Sequence, residues 1–237
     1  VVSGVALDVL LARRLQRGDP DGQVRRAMAA FPVPAVVQRA LDRYFVPGGL
    51  RPGQSFRPNH RIGVRSSAAA EELAVLGNFV EVFLAKEGHD GVVGINLLEK
   101  MQVTTPTAAY GAVLAGVDYV LMGAGIPSEI PGMLNLLAES KPAQISVTVD
   151  GALAGERHTV GIDPLALLGR RLLDLTRPKF LAIVSTHVLA AYLARDPLTR
   201  PDGFVMEGPV AGGHSAPPRG TMVLDDTGYP VYGQRDR

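Results

Sequence analysis

The segment Gly116-Val117-Asp118-Tyr119-Val120-Leu121-Met122-Gly123-Ala124-Gly125-Ile126-Pro127 decides the fold. Asp118 to Met122 reads as a short apolar strand closing on three small residues. It is apolar at successive positions rather than alternate ones, which is the pattern of a parallel strand covered on both faces. A helix is expected from Ser128 to Ala138, with Ser128 as its N-cap. Strand, glycine turn and helix together make one βα unit.

The same unit recurs on either side. Upstream, Gly91 to Leu98 carries the run Val92-Val93-Gly94-Ile95, ends at Asn96, and precedes a small-residue helix over Thr107 to Ala115. Downstream, Lys179 to Ser185 reads as a buried strand before the helix His187 to Ala194, and Gly203 to Met206 as a strand before a glycine-rich loop. Val1 to Gly4 looks like the end of another buried strand, and Phe79 to Ala85 is strand-like. Repeated βα units imply an α/β fold with a parallel sheet.

The remaining segments are additions to that plan. Leu7 to Gln16 has apolar residues at helical spacing and stops at Gly18; Val24 to Ala30 and Ala35 to Tyr44 read as two further helices. Residues 47–67 are rich in Gly, Pro, Ser and Arg and read as a long surface loop. Two hairpins are expected as insertions. One spans 144–162, with Ile145–Val149 and Arg157–Ile162 flanking Asp150-Gly151. The other spans 221–232, with Thr221–Leu224 and Pro230–Tyr232 flanking Asp225-Asp226-Thr227-Gly228.

Composition narrows the function classes. The 237 residues carry 24 basic and 23 acidic side chains, a formal net charge of +1, so nothing favours nucleic acid or an anionic membrane as partner. Aromatic residues are 5% and Trp is absent, which argues against stacking platforms for bases. No cysteine is present, so disulfides, thiolate metal sites and cysteine nucleophiles are excluded, and a cytoplasmic protein is expected. No apolar run reaches the roughly 18 residues of a membrane helix. The start, Val1-Val2-Ser3-Gly4, has neither the basic residues nor the apolar stretch of a signal peptide.

In parallel α/β folds, ligands bind beyond the C-terminal ends of the strands. Ser3-Gly4, Asn96, Gly123-Ala124-Gly125 and Glu207-Gly208 fall at four such ends. Small residues there leave room for a flat ligand and let backbone N–H groups face phosphate or ring atoms; equally, the glycines serve as tight strand-to-helix turns. Gly212-Gly213-His214 is the sharpest feature, because an imidazole after two glycines can project over a bound ring and titrates near neutrality. A plain surface-loop histidine fits the local sequence equally well. His89 sits in a turn that could border the site. His60, His158 and His187 read as loop, hairpin and helix-cap residues. Lys86-Glu87 and Glu99-Lys100 read as pocket charges or as solvated ion pairs, and Ser185-Thr186 could line the pocket. No zinc spacing, P-loop or G-x-S-x-G is present.

Gly94-Ile95-Asn96-Leu97, the Gly116–Pro127 segment and Glu207-Gly208-Pro209-Val210-Ala211-Gly212-Gly213-His214 occur together in one order. In that order the chain resembles the nitronate monooxygenases, formerly called 2-nitropropane dioxygenases, along essentially its whole length. The resemblance implies a (β/α)8 TIM-barrel type fold, incomplete in this chain, with FMN at its C-terminal mouth. It makes Asn96 and Gly212 FMN contacts and His214 the catalytic residue. Ser3, Gly4, Gly123, Gly208 and Gly213 are added as cofactor-binding candidates at the strand ends and in the glycine loop. Glu207 stands where many members carry a glutamine that touches the flavin. The family's first strand and C-terminal units have no counterpart here, so the 237 residues correspond to about strands two to six and alone are expected to bind FMN weakly or not at all. The implied reaction is oxidation of an alkyl nitronate by O2 to a carbonyl compound and nitrite, and homo-oligomerisation is left open. Two alternatives remain: an FMN-dependent enoyl-thioester reductase with a similar Gly-Gly-His loop, and a non-catalytic barrel fragment acting as a binding module.

Overall fold

The computed structural model describes residues 1–153, 155–208 and 221–233. Among them, β1 (Val2–Ser3), β2 (Gly94–Leu98), β3 (Tyr119–Gly123), β6 (Lys179–Val184) and β7 (Gly203–Met206) form one all-parallel sheet in the order β1-β2-β3-β6-β7. The intervening β4 (Ala143–Val147) and β5 (His158–Ile162) pair antiparallel as a separate hairpin. Each strand of the main sheet joins the edge left by its predecessor, so the winding never reverses.

Register sorts the strand residues onto two faces, since in-register neighbours of parallel strands point the same way. Ile95, Leu97, Val120, Met122, Phe180, Ala182 and Val184 share the helix side and are all buried. Asn96, Leu98, Leu121, Leu181, Ile183, Gly203 and Val205 share the opposite, inner side and are half-buried. The described helices therefore cover that face over β2, β3 and β6, whereas Phe204 and Met206, which β7 places on the same side, are exposed. The continuous apolar character of the strands comes from an inner face that is also apolar.

The helices are α1 (Leu7–Gln16), α2 (Gln23–Ala29), α3 (Pro34–Tyr44), α4 (Ala68–Ala85), α5 (Thr105–Leu114), α6 (Ile130–Ala138), α7 (Pro164–Leu168) and α8 (His187–Ala194), with a 3-10 turn over Glu99–Thr104. Their starts have identifiable chemistry. The Asp19 carboxylate accepts the N–H groups of Val24 at 3.1 Å and Arg25 at 2.9 Å ahead of α2. Ser67 Oγ accepts Ala70 N–H at 3.3 Å, Asp163 Oδ1 accepts Leu165 N–H at 2.9 Å, and Thr186 Oγ1 accepts Leu189 N–H at 3.3 Å. Ser67, Asp163 and Thr186 are N-caps, and Asp19, three residues ahead of the α2 N-cap Gly22, serves the same kind of first-turn donor with no intrahelical partner.

Two glycines bring α1, α4 and α5 to backbone contact. A Cβ on Gly77 would stand 2.5 Å from Leu7 O, and one on Gly111 would stand 2.2 Å from Val75 O. Hydrogen at those positions is what lets α4 lie between its neighbours at that spacing.

Two sequence readings are corrected. Phe79 to Ala85 is not a strand but the second half of α4. That helix buries residues on almost every side, so no polar stripe marks the 3.6-residue period. Ser128 does not cap α6: its N–H donates to Ile126 O at 2.9 Å, and the helix starts at Ile130 with Glu129 as N-cap and Pro131 in the first turn. The loop over 47–67 has no regular element and is tied down by Gln16, whose Oε1 accepts Arg57 N–H at 2.6 Å. The hairpin within 144–162 is present. That within 221–232 is a tight turn closed by a Leu224–Pro230 bridge, with Asp225 N–H donating to Tyr229 O at 2.8 Å.

Candidate functional site

The inner face, followed toward the C-terminal strand ends, builds the site in rows. Ser3, Asn96, Leu121, Leu181 and Gly203 stand in one register row. Leu98, Gly123, Ile183 and Val205 form the next. Above them, alternation places Ser185 and Glu207 on the same side, both half-buried.

Asn96 is the polar centre of this face. Its Oδ1 is buried and, among the described residues, accepts no hydrogen bond. Asn78 Oδ1 and Tyr110 OH share this status; a buried acceptor left unpaired costs about 1–3 kcal/mol, so Asn96 Oδ1 has room for a donor, from water or from a bound group. Asn96 O accepts Gly4 N–H at 2.8 Å, which extends the β1–β2 ladder one residue past Ser3. In the same way Glu207 N–H donates to Val184 O at 2.8 Å. Neither of these two amides is therefore free to meet a phosphate.

The glycines divide by what surrounds them. The room beside Gly123 is taken by Ile183, whose Cβ lies 3.0 Å from where a Gly123 Cβ would stand. A Cβ on Gly4 would lie 2.2 Å from Leu97 Cδ2, and one on Gly125 would lie 2.1 Å from Glu99 Oε2. These three serve close packing rather than a ligand cradle. Gly208 has nothing within 4 Å of its added Cβ and borders open space. Gly212, Gly213 and His214 lie outside the described residues.

Glu99 belongs to a clamp behind the mouth. Its Oε1 accepts Gln102 Nε2–H at 2.9 Å, and Gln102 Oε1 accepts Thr148 N–H at 2.9 Å. Glu129 accepts both the N–H and the hydroxyl of Ser146, at 2.8 and 3.0 Å. Together they fasten the outer edge of β4 to the loops following β2 and β3. A cleft of about 30 Å³ lies between Glu99, Glu129, Met122 and Ile145, room for a water molecule or two.

Other candidates lie elsewhere. His89 accepts Gly91 N–H at Nδ1 (3.0 Å) and pairs with Ala85 O through Nε2 (2.8 Å), closing α4 at the N-terminal end of β2. That is the end of the sheet opposite Asn96 and Gly123, so His89 does not border the site. Lys86 pairs with Asp118 Oδ2 at 2.7 Å, also at that opposite end, and Glu87 accepts Arg26 Nε–H at 3.1 Å. Thr186 is occupied as the α8 cap.

Sequence reading had missed the apolar rim of Leu98, Ile183 and Val205. Counting in twos from Asn96 along β2, and from Gly203 along β7, would have found Leu98 and Val205. Among the described residues, no group of three or more His, Asp and Glu side chains is placed to hold a metal ion, and no helix is long and apolar enough to cross a membrane. No family model, no curated protein and no solved structure matches the chain.

Proposed function

We propose that the chain is part of an FMN-dependent (β/α)8 barrel that oxidises alkyl nitronates with O2 to a carbonyl compound and nitrite. The single observation behind this reading is the orphaned Oδ1 of Asn96 on an apolar inner face, one row below the strand ends. Two features of the fold support a barrel. Each strand adds to the same edge, whereas a doubly wound sheet reverses direction. The inner-face glycines Gly94, Gly123 and Gly203 are each overlain by a branched side chain of the adjacent strand, namely Leu121, Ile183 and Leu181. Large beside small is how barrel interiors are filled.

The residues fit a flavin. An isoalloxazine carries an imide N–H that would satisfy Asn96 Oδ1, and its flat faces suit Leu98, Ile183 and Val205. FMN, when bound, would supply the electron-accepting and oxygen chemistry. Asn96 would fix the ring in the plane of its amide. The apolar rim would keep water from the reacting carbon. His214, by resemblance, would take the α-proton of a neutral nitroalkane or donate a hydrogen bond to the nitronate oxygens.

The test is nitrite release from alkyl nitronates by FMN-supplemented protein, with NAD(P)H oxidation on an enoyl thioester as the comparison. Nitrite release that falls roughly 10²-fold in His214→Ala supports the proposal. Turnover of the enoyl thioester alone would replace it with the reductase reading.

A further inference from the structure

A groove of about 250 Å³ lies between α3 and the first turns of α4, and no strand residue lines it. Val36, Ala40 and Leu73 give it a buried apolar floor. Arg39 and Arg43, one turn apart on α3, are exposed beside it. Glu72 on α4 is the carboxylate of the groove, and Arg39 holds both its oxygens, through Nε–H at 3.0 Å and Nη2–H at 2.6 Å. Arg43 uses its Nε–H on the Tyr44 hydroxyl at 3.1 Å. Its other guanidinium N–H groups have no hydrogen-bond partner among the described residues.

Tyr44 lines the same groove and is only 2% exposed. Its oxygen accepts the Arg43 Nε–H and, at 3.3 Å, the backbone N–H of His60. Those two bonds engage both lone pairs of the phenol oxygen, and the hydroxyl proton has no acceptor among the described residues. Buried donors are rarely left so, and this one stands beside a guanidinium that no described carboxylate neutralises. We propose that the groove binds a short alkyl carboxylate, its head on Arg43 and the Tyr44 hydroxyl and its chain over Val36, Ala40 and Leu73. An exposed arginine alone would add little; the buried hydroxyl supplies the direction. Arg39 acts indirectly, by holding the one charge in the groove that would repel the head. The volume equals about eight water molecules at roughly 30 Å³ each, the size of hexanoate. The site shares no residue with the flavin reading and does not rest on it.

The experiment is a ligand-observed NMR titration of the full chain with hexanoate, acetate and 1-hexanol. We expect hexanoate to saturate with a Kd of about 1 mM or below, and acetate, which lacks the chain, and 1-hexanol, which lacks the charge, to bind about tenfold more weakly or worse. Arg43→Gln and Tyr44→Phe should each weaken hexanoate about tenfold. Arg39→Gln bares Glu72 and should weaken it too, whereas Arg39→Gln/Glu72→Gln should return to within about twofold of wild type, a recovery that a merely structural role for Arg39 would not give. Hexanoate that does not saturate below about 20 mM would leave the Tyr44 proton to water and overturn the proposal. So would 1-hexanol binding as tightly as hexanoate, or a hexanoate affinity that neither Arg43→Gln nor Tyr44→Phe moves.

Discussion

Asp118 and Asp202 hold equivalent posts at the N-terminal end of the sheet. Each stands one residue ahead of its strand, β3 or β7, and reaches back to the strand alongside. Asp118 Oδ2 accepts Val93 N–H at 2.7 Å, and Asp202 Oδ2 accepts Phe180 N–H at 2.7 Å. Each is also paired with a cation, Lys86 at 2.7 Å and Arg177 at 2.6 Å. The same device thus closes the β2–β3 and β6–β7 ladders at the end remote from the candidate site.

Asp118→Ala and Asp202→Ala each strand a backbone donor on a buried residue, so each should cost about 1–2 kcal/mol. The Asn variants keep an acceptor and lose only the ion pair, so they should cost less than about 1 kcal/mol. The two sites share no side-chain partner, and the double variant should be additive to within about 0.5 kcal/mol. Urea midpoints measure all of this. A cost for Asn equal to that for Ala would show that charge rather than the hydrogen bond matters.

Acid should destabilise the fold through the same groups. Lys86 and the Val93 amide hold Asp118 below its ordinary 3.8. For Asp202, burial pushes upward, but the Phe180 amide and Arg177 win and the value is lowered. Asp19 behaves likewise through the amides of Arg25 and Val24. A carboxylate that is more acidic folded than unfolded stabilises the fold while ionised. That contribution is complete above the unfolded value and is lost as pH falls from about 4 toward the lower folded values. Glu71 has the opposite sign: burial raises it above 4.5, so its protonation favours the folded state as pH falls through that raised value. Denaturation midpoints should therefore rise slightly just above pH 4.5 and drop below about 4. Glu71→Gln should remove the rise and keep the drop.

The close approach of α1, α4 and α5 gives a third test. Gly77→Ala and Gly111→Ala press a methyl against backbone of a neighbouring helix and should each cost about 2–3 kcal/mol. Gly132→Ala in α6 meets nothing within 4 Å and should stabilise by about 0.5–1 kcal/mol. Thermal unfolding distinguishes them, and a neutral Gly111→Ala would mean that the helices can separate without loss.

Much of this architecture is legible in the chain. Gly203 to Met206 reads as a strand and is β7. Asp150-Gly151 between two runs reads as a hairpin turn, and β4 and β5 pair across it. Phe79 to Ala85 misleads because a helix buried nearly all round shows no period. Asn96 stands out as a polar residue inside an apolar run. Asp118 reads as the first residue of a strand and Asp202 stands just ahead of one, and the part each plays appears only once the strands are in register. Gly4 and Gly123 have the composition of a ligand-binding turn, yet Leu97 and Ile183 fill the space they leave. That outcome depends on the neighbouring strand and is invisible locally.

The most direct measurement is FMN affinity, by flavin fluorescence, in wild type and Asn96→Leu, with urea midpoints taken on the same samples. Replacing an orphaned buried amide with an isosteric apolar group should leave stability unchanged or raise it. If Asn96 awaits a flavin, the same change weakens FMN binding about tenfold or more. Equal, measurable FMN affinity in the two proteins would contradict the flavin site.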